Sequence, residues 1–275
     1  VFDIVFIVLL NDWGDVAVDT LKRRMFPQAG SPKTIPDGIL PARSLLLGGA
    51  VAGALALLTA RAAESLLPRP GFTAAAALCL AFFVAYTLPP VRLNYRGGGE
   101  LLEGVGVGAL LPWLNAYGQG GDPWMPAVML LPGFTLWAQA SAIASGLADE
   151  DSDRQGGKRT VVTAFGNTFA RGAILALMPL GCLALLAAPF VTGPFLGGEP
   201  VAPWVPLPAV AVGLLHMGRL RRLGKAAVSR AFAAQAVYKG ALHQAIWRGG
   251  LALAVSLVAA ELLGSRGGVS VEALP

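Results

Sequence analysis

What most constrains this chain is a series of apolar runs, each about long enough to cross a bilayer as a helix. They fall at residues 44–60, 72–88, 101–117, 124–147, 172–191, 201–218 and 249–264. A spanning helix needs roughly 17–25 mostly apolar residues. Inside hydrocarbon no water can satisfy an open backbone amide, so such runs take helical form. Composition agrees: of 275 residues, 55% are hydrophobic and only 13% charged, about half the share usual in soluble domains. The expected fold class is all-α, a polytopic transmembrane helical bundle. An eighth apolar run, Val1–Leu10, is too short to span and begins without methionine. We therefore expect one transmembrane domain over residues 1–275 that is N-terminally incomplete, with a first helix missing before it.

The loops orient the bundle. With the loop after Val1–Leu10 set in the cytoplasm, alternating spans place every Lys and Arg except Arg61, Arg69 and Arg266 on that side. Positively charged loops stay cytoplasmic, so the expected location is the cytoplasmic (inner) membrane, as a multi-pass protein in contact with lipid. The same asymmetry accounts for the pI of 9.6 without nucleic acid as a partner. Cys79 and Cys182 lie inside apolar runs, where cysteine behaves as a small hydrophobe.

Acidic residues cluster in two places. In Asn11-Asp12-Trp13-Gly14-Asp15-Val16-Ala17-Val18-Asp19, a helix would set Asp12, Asp15 and Asp19 on one face. Like charges at that spacing each cost a helix a few tenths of a kcal/mol, and a divalent cation is the simplest compensation. The second cluster, Asp149-Glu150-Asp151-Ser152-Asp153, ends the 124–147 run on the same cytoplasmic side. A basic segment follows each: Lys33-Thr34-Ile35-Pro36-Asp37-Gly38 after the first, Gly157-Lys158-Arg159-Thr160 after the second. Mg2+ favours a few carboxylates together with phosphate oxygens, and Lys and Arg neutralise the remaining phosphate charge. The two clusters together read as a Mg2+–diphosphate site.

In this order the motifs resemble the UbiA superfamily of intramembrane prenyltransferases. Asn11, Asp12, Asp15 and Asp19 match its first motif, and Asp149 and Asp153 its second. Lys33 to Gly38 resembles the family's basic, Pro-rich turn. Tyr86-Thr87-Leu88-Pro89-Pro90, Arg92 and Tyr95-Arg96-Gly97-Gly98-Gly99-Glu100 resemble its third conserved loop, in a form closest to 1,4-dihydroxy-2-naphthoate polyprenyltransferase-like members.

The resemblance implies nine helices around a central cavity with the acidic motifs at its cytoplasmic end. It implies a polyprenyl diphosphate donor and a small aromatic acceptor of the quinone-precursor type. It assigns Mg2+ to Asn11, Asp12, Asp15, Asp19, Asp149 and Asp153, and the diphosphate to Asn11, Lys33, Arg92, Lys158 and Arg159, with Tyr86 beside it. Asp15, Asp153, Lys33, Arg92, Lys158 and Tyr86 are then the catalytic set. Trp113, Phe134 and Trp137 are further aromatic candidates for facing an allylic cation. The chain departs from its relatives at Ser145-Gly146, where an Asn is common; the resemblance then implies either a missing metal ligand or diphosphate contact, or one supplied by Gln139 or Asn11.

Other roles stay open. Glu103 is a candidate functional carboxylate or an interfacial partner of Arg96, and His216 and His243 lack metal-ligand spacing. Transfer to a non-aromatic acceptor, or cyclisation of the prenyl chain, fits the same motifs. A cation transporter is the competing class, but its ionisable groups belong near mid-membrane, whereas these acids end spans. Residues 225–248 show apolar positions at helical spacing with Arg230, Gln235, Lys239 and His243 among them. That pattern predicts an amphipathic helix on the cytoplasmic surface, the alternative being a polar extension of the last span.

Overall fold

A computed structural model describes residues 1–27, 32–120, 122–124, 126–196 and 201–267, and all regular structure among them is helical. The helices run α1 (Phe2–Gly14), α2 (Val16–Met25), α3 (Ala42–Leu66), α4 (Phe72–Thr87), α5 (Leu93–Arg96), α6 (Gly99–Val105) and α7 (Leu111–Gly120). After them come α8 (Leu131–Ala148), α9 (Glu150–Gln155), α10 (Val161–Phe165), α11 (Asn167–Leu196), α12 (Leu207–Ala226) and α13 (Phe232–Gly267). Among the described residues four segments have the length and composition to cross a membrane: Ala42–Leu66, Ala127–Ala148, Asn167–Val191 and Phe232–Leu263. The 72–88 run forms the shorter apolar helix α4. The 201–218 run becomes helical only from Leu207, and the 101–117 run is divided among α6, a wide turn and α7.

That wide turn has a local cause. At Gly106–Leu110 the helix loosens, and Leu111 N–H reaches back to the Gly106 carbonyl. Pro112 follows at once; it has no N–H to give the Gly108 carbonyl, and in a regular helix its ring would strike it. Loosening the preceding turn removes the collision. The Gly104–Gly108 pair then lies directly against α8. A Cβ on Gly108 would stand 2.4 Å from Thr135 Cα, and one on Gly104 would stand 3.1 Å from Gln139 Cα. Backbones approach this closely only where side chains are absent.

Apolar cores flank this central helix pair, a smaller one joining Ala60, Ala76, Cys79 and Leu114. On one side Phe6 and Leu10 of α1 pack with Ala52 of α3 and with Leu80 and Phe83 of α4. On the other, Trp137, Ile174, Met178, Leu220, Tyr238 and Leu242 join α8, α11, α12 and α13. Trp137 is fully enclosed, and its indole N–H donates to the Met178 carbonyl at 3.1 Å. Cys79 and Cys182 are buried and unpaired, as small hydrophobes.

The surface helix expected over residues 225–248 does not form. Arg230 lies outside any helix at φ 63, and α13 runs uninterrupted from Phe232 through the last span. The polar stripe points inward. Gln235 is buried against Glu150 at 3.1 Å, and His243 meets Ser141 at 2.9 Å. Val237, Trp247, Leu251, Val255 and Val258 are exposed on the same helix. Such a helix puts its polar side on the protein and its apolar side on lipid, the reverse of a surface helix. The Gly249–Gly250 pair does not interrupt it, because Gly249 lies against Trp137, 2.7 Å from where its Cβ would be.

The packing predicts opposite effects for two helical glycines. Gly108→Ala forces backbone apart and should destabilise by about 2 kcal/mol or more. Gly172→Ala meets nothing within 4 Å and should be neutral or stabilising by up to ~1 kcal/mol. Thermal midpoints in detergent decide the matter; equal shifts for the two variants contradict the close contact of Gly108 with Thr135 of α8.

Candidate active site

A cavity of about 380 Å3 opens among α1, α2, α4, α6, α8 and α9. One end is polar, lined by Asn11, Asp12, Asp15, Asp19, Asp149 and Asp153 with Lys22, Lys33 and Lys158. Ile7, Val8, Phe83, Tyr86, Val107 and Ala142 line it too, with the carboxylates Glu100 and Glu103 and with Asn94, Ser145 and Thr160 among them. Both acidic clusters, more than a hundred residues apart in sequence, therefore face one space.

Each cluster reaches it through the same local break. Helix α1 stops at Gly14 and α2 starts at Val16, with Asp15 between them at φ −95, ψ 5. Likewise α8 stops at Ala148 and α9 starts at Glu150, with Asp149 at φ −112, ψ 5. The expected single helical face for Asp12, Asp15 and Asp19 is thus interrupted at its middle residue. The hydrogen bonds continue across the break, Asp15 N to Asn11 O at 2.9 Å and Asp19 N to Asp15 O at 2.8 Å. All three aspartates stay on the cavity side. The short helices α2 and α9 pack on each other, and this contact brings the clusters together.

The lysines cross between them. Lys158, beyond the second cluster, pairs with Asp15 of the first at 3.0 Å. Lys22, beyond the first, pairs with Asp149 of the second. Lys33 pairs with Asp19 at 2.8 Å. Asn94 donates to the other Asp15 oxygen at 3.1 Å, and Thr34 donates to Asp12. Burial opposes charge on Lys158, but Asp15 and Asp153 outweigh it and hold the ammonium above the usual lysine range. Lys33 is likewise raised against its burial, by Asp19 first and then Asp149 and Asp12. Asp19 is raised by burial, which its bond to Lys33 only partly offsets. Asp153, 3% exposed, is pushed by burial up to about 7; Lys158 opposes the rise, and Asp149 and Asp15 add to it.

Among the described residues no three His, Cys, Asp or Glu side chains converge closely enough to cage a metal. The donors nevertheless fit a cation completed by other ligands. They are hard oxygens, as Mg2+ requires. Asn11 Oδ1 lines the cavity, buried and without a hydrogen-bond partner. Ser145 and Gly146 line the cavity as well. Gln139 does not line the cavity; it packs on Gly104.

Other expected residues lie elsewhere. Arg92 does not line the cavity: it donates to the Gly14 carbonyl at 2.5 Å and stacks 3.6 Å from the Tyr95 ring centroid, so it holds the end of α1. Arg159 is exposed. Of the four aromatic candidates only Tyr86 faces the cavity. Trp113 stacks on Tyr117 and donates to the Pro123 carbonyl at 2.9 Å, while Phe134 meets Trp137 edge-on. Glu103 does not pair with Arg96, which is exposed; it accepts from the Tyr86 hydroxyl at 3.4 Å. Lys22, Asn94 and Phe83 escaped the sequence reading. Lys22 was legible as the first of three basic residues ending α2 on the cluster's own helix, whereas nothing local marks Asn94 or Phe83.

The titration of Asp153 has a consequence for the metal-free protein. Its folded value lies above the ordinary 3.8, so across that interval the folded chain binds the extra proton. That contribution to stability is full below the ordinary value and is lost as pH rises through about 7. In EDTA the thermal midpoint should fall between pH 5 and 8, and Asp153→Asn should remove that component. An unchanged slope in the variant contradicts the burial of a strained carboxyl here.

The sequence profile of the UbiA prenyltransferase family matches residues 4–242, a stretch that includes every lining residue of the cavity. No curated protein and no solved structure matches the chain.

Proposed function

Because the chain belongs to the UbiA prenyltransferase family and is therefore a prenyltransferase of the membrane, we propose the finer reading that it moves an isoprenoid group from an allylic polyprenyl diphosphate to a small aromatic, quinone-precursor acceptor. Mg2+ is the proposed cofactor, and the cytoplasmic membrane the proposed location, with the cavity mouth on the side of the basic loops. The observation that carries this reading is the cross-pairing of Lys22 with Asp149 and Lys158 with Asp15 at the polar end of a cavity that is otherwise largely apolar.

That arrangement suits a ligand with a charged head and an apolar tail. Asn11, Asp12, Asp15, Asp19, Asp149 and Asp153 would hold Mg2+, which when bound withdraws charge from the leaving diphosphate. Lys22, Lys33 and Lys158, which pair with Asp149, Asp19 and Asp15, would supply ammonium groups to the phosphate oxygens. Ammonium groups preorganised around an oxyanion stabilise the charge that develops as the allylic C–O bond breaks. The prenyl chain lies along the apolar side chains of Ile7, Val8, Phe83 and Val107. Tyr86 presents its ring to the allylic carbon, an interaction worth roughly 1–2 kcal/mol when desolvated. Arg92 acts at one remove, by fixing the end of α1 through Gly14.

The test uses the purified full chain with radiolabelled geranyl diphosphate, Mg2+ and 1,4-dihydroxy-2-naphthoate. Wild type should release diphosphate and label the acceptor, EDTA should stop both, and Mg2+ should restore them. Asp15→Asn and Asp149→Asn should each lower turnover by about 10²-fold or more while eluting as folded protein. Substantial turnover in both variants at saturating Mg2+ rules out the paired-cluster mechanism.

A further inference from the structure

Helix α6 presents two carboxylates to the cavity, and only one is well satisfied. Glu100 accepts the Val161 amide at 2.6 Å, which ties α6 to the start of α10. Glu103 lies one helical turn further along, about 4.5 Å, and has a single long hydrogen bond, from the Tyr86 hydroxyl at 3.4 Å. The other charges acting on it are Lys239 from α13, Lys158 from the loop before α10, and Glu100 of its own helix. None of these makes an ion pair with it. Its neighbours along the cavity wall include Phe83, Val107 and Ala142.

A carboxylate in such surroundings is costly unless hydrogen-bonded, and one weakly satisfied group in a cavity calls for a further partner. An anionic donor headgroup is the wrong partner, since like charges repel. A group that brings a hydrogen is the right one. Resting on the prenyl-transfer reading, we propose that Glu103 is the acceptor-side catalytic base. Its carboxylate accepts the hydroxyl hydrogen of a phenol-type acceptor, and the Tyr86 hydroxyl holds it in position.

The acceptor hydroxyl gives its proton to Glu103, and the electron density left on oxygen passes into the ring. The ring carbon beside it bonds to the allylic carbon as the C–O bond of the donor breaks, and diphosphate leaves with that electron pair. The proton on the substituted ring carbon then moves to the oxygen, restoring the aromatic ring, and Glu103 returns its proton to water. Placing the base on α6, and the leaving-group charges on α2, α9 and their loops, keeps the two proton and charge transfers apart. An acceptor blocked at oxygen satisfies neither Glu103 nor this sequence.

Two measurements test the proposal with 1-naphthol and its methyl ether as probes. The first is binding, followed by tryptophan fluorescence, which needs no turnover. Wild type should prefer 1-naphthol by at least about tenfold, since a site built to bond a hydroxyl rejects the analogue lacking it. Glu103→Gln should lose the preference, and Glu103→Asp should keep part of it. The second is transfer from geranyl diphosphate with Mg2+. At pH 7 Glu103→Gln should transfer to 1-naphthol about 10²-fold more slowly, the usual share of a general base. The gap should close toward pH 10, where a phenol ionises by itself. Equal binding of the ether, or a loss that does not change with pH, overturns the assignment. A wild type that releases no diphosphate refutes the prenyl-transfer reading instead, and the binding preference still decides whether Glu103 holds a hydroxyl.

Discussion

The arrangement depends above all on holding several carboxylates together at one end of a low-dielectric bundle. Two like charges 4 Å apart repel by about 4 kcal/mol at an effective dielectric of 20. A bundle that gathers six oxygen-bearing side chains at one mouth must offset this before any substrate arrives. It does so with lysines exchanged between the clusters: Lys158 to Asp15, Lys22 to Asp149. Each cluster is incomplete without the other. The exchange therefore couples the electrostatics of the mouth to the α2–α9 contact, and the N-terminal and C-terminal halves of the chain cannot drift apart without exposing unpaired charge.

The balance is deliberately imperfect. Asp153 has no lysine of its own and is raised to about 7, and Asn11 Oδ1 has no partner at all. Added positive charge is absorbed first at groups of this kind. The lysines are good placeholders because a compact ammonium on a flexible stem leaves one oxyanion for another more readily than a bidentate guanidinium does. Arginine is used where nothing needs to move: Arg92 locks Gly14, and Arg171 bonds the Gly224 carbonyl at 2.7 Å.

Sequence reading reached the parts fixed by composition and short-range spacing. Apolar runs gave the class, and the acidic and basic motifs gave Asp15, Asp149, Lys33, Lys158 and Tyr86 their place in one cavity. It failed where direction depends on a distant neighbour. The stripe of Gln235, Lys239 and His243 has the same period whether it faces water or protein; only the buried Glu150 and Ser141 opposite it decide. Arg92 and Lys22 illustrate the same limit. Both are basic residues near a motif, yet one turns to a backbone carbonyl and the other to a carboxylate more than a hundred residues away.

The carboxylates of the site sort by how fully they are satisfied, and the sorting separates frame from chemistry. Glu150 belongs to the second cluster by sequence but turns away from the cavity. It accepts from Ser229 at 2.9 Å, Asn167 at 3.0 Å, Gln235 at 3.1 Å and Arg154 at 3.2 Å. Those partners come from α9, α11, α13 and the loop before α13, so the bond network fixes α9, which carries Asp153 and is capped by Asp149. Glu100 does a similar task between α6 and α10. A carboxylate with all its lone pairs used is rigid and has nothing left to give a substrate. Asp153, buried, and Glu103, half-buried, are the opposite case, short of partners, and they stand where the proposed cation and acceptor would supply what is missing. The well-bonded acids keep the poorly bonded ones from relaxing, which is how a soft helical bundle can hold a strained site open.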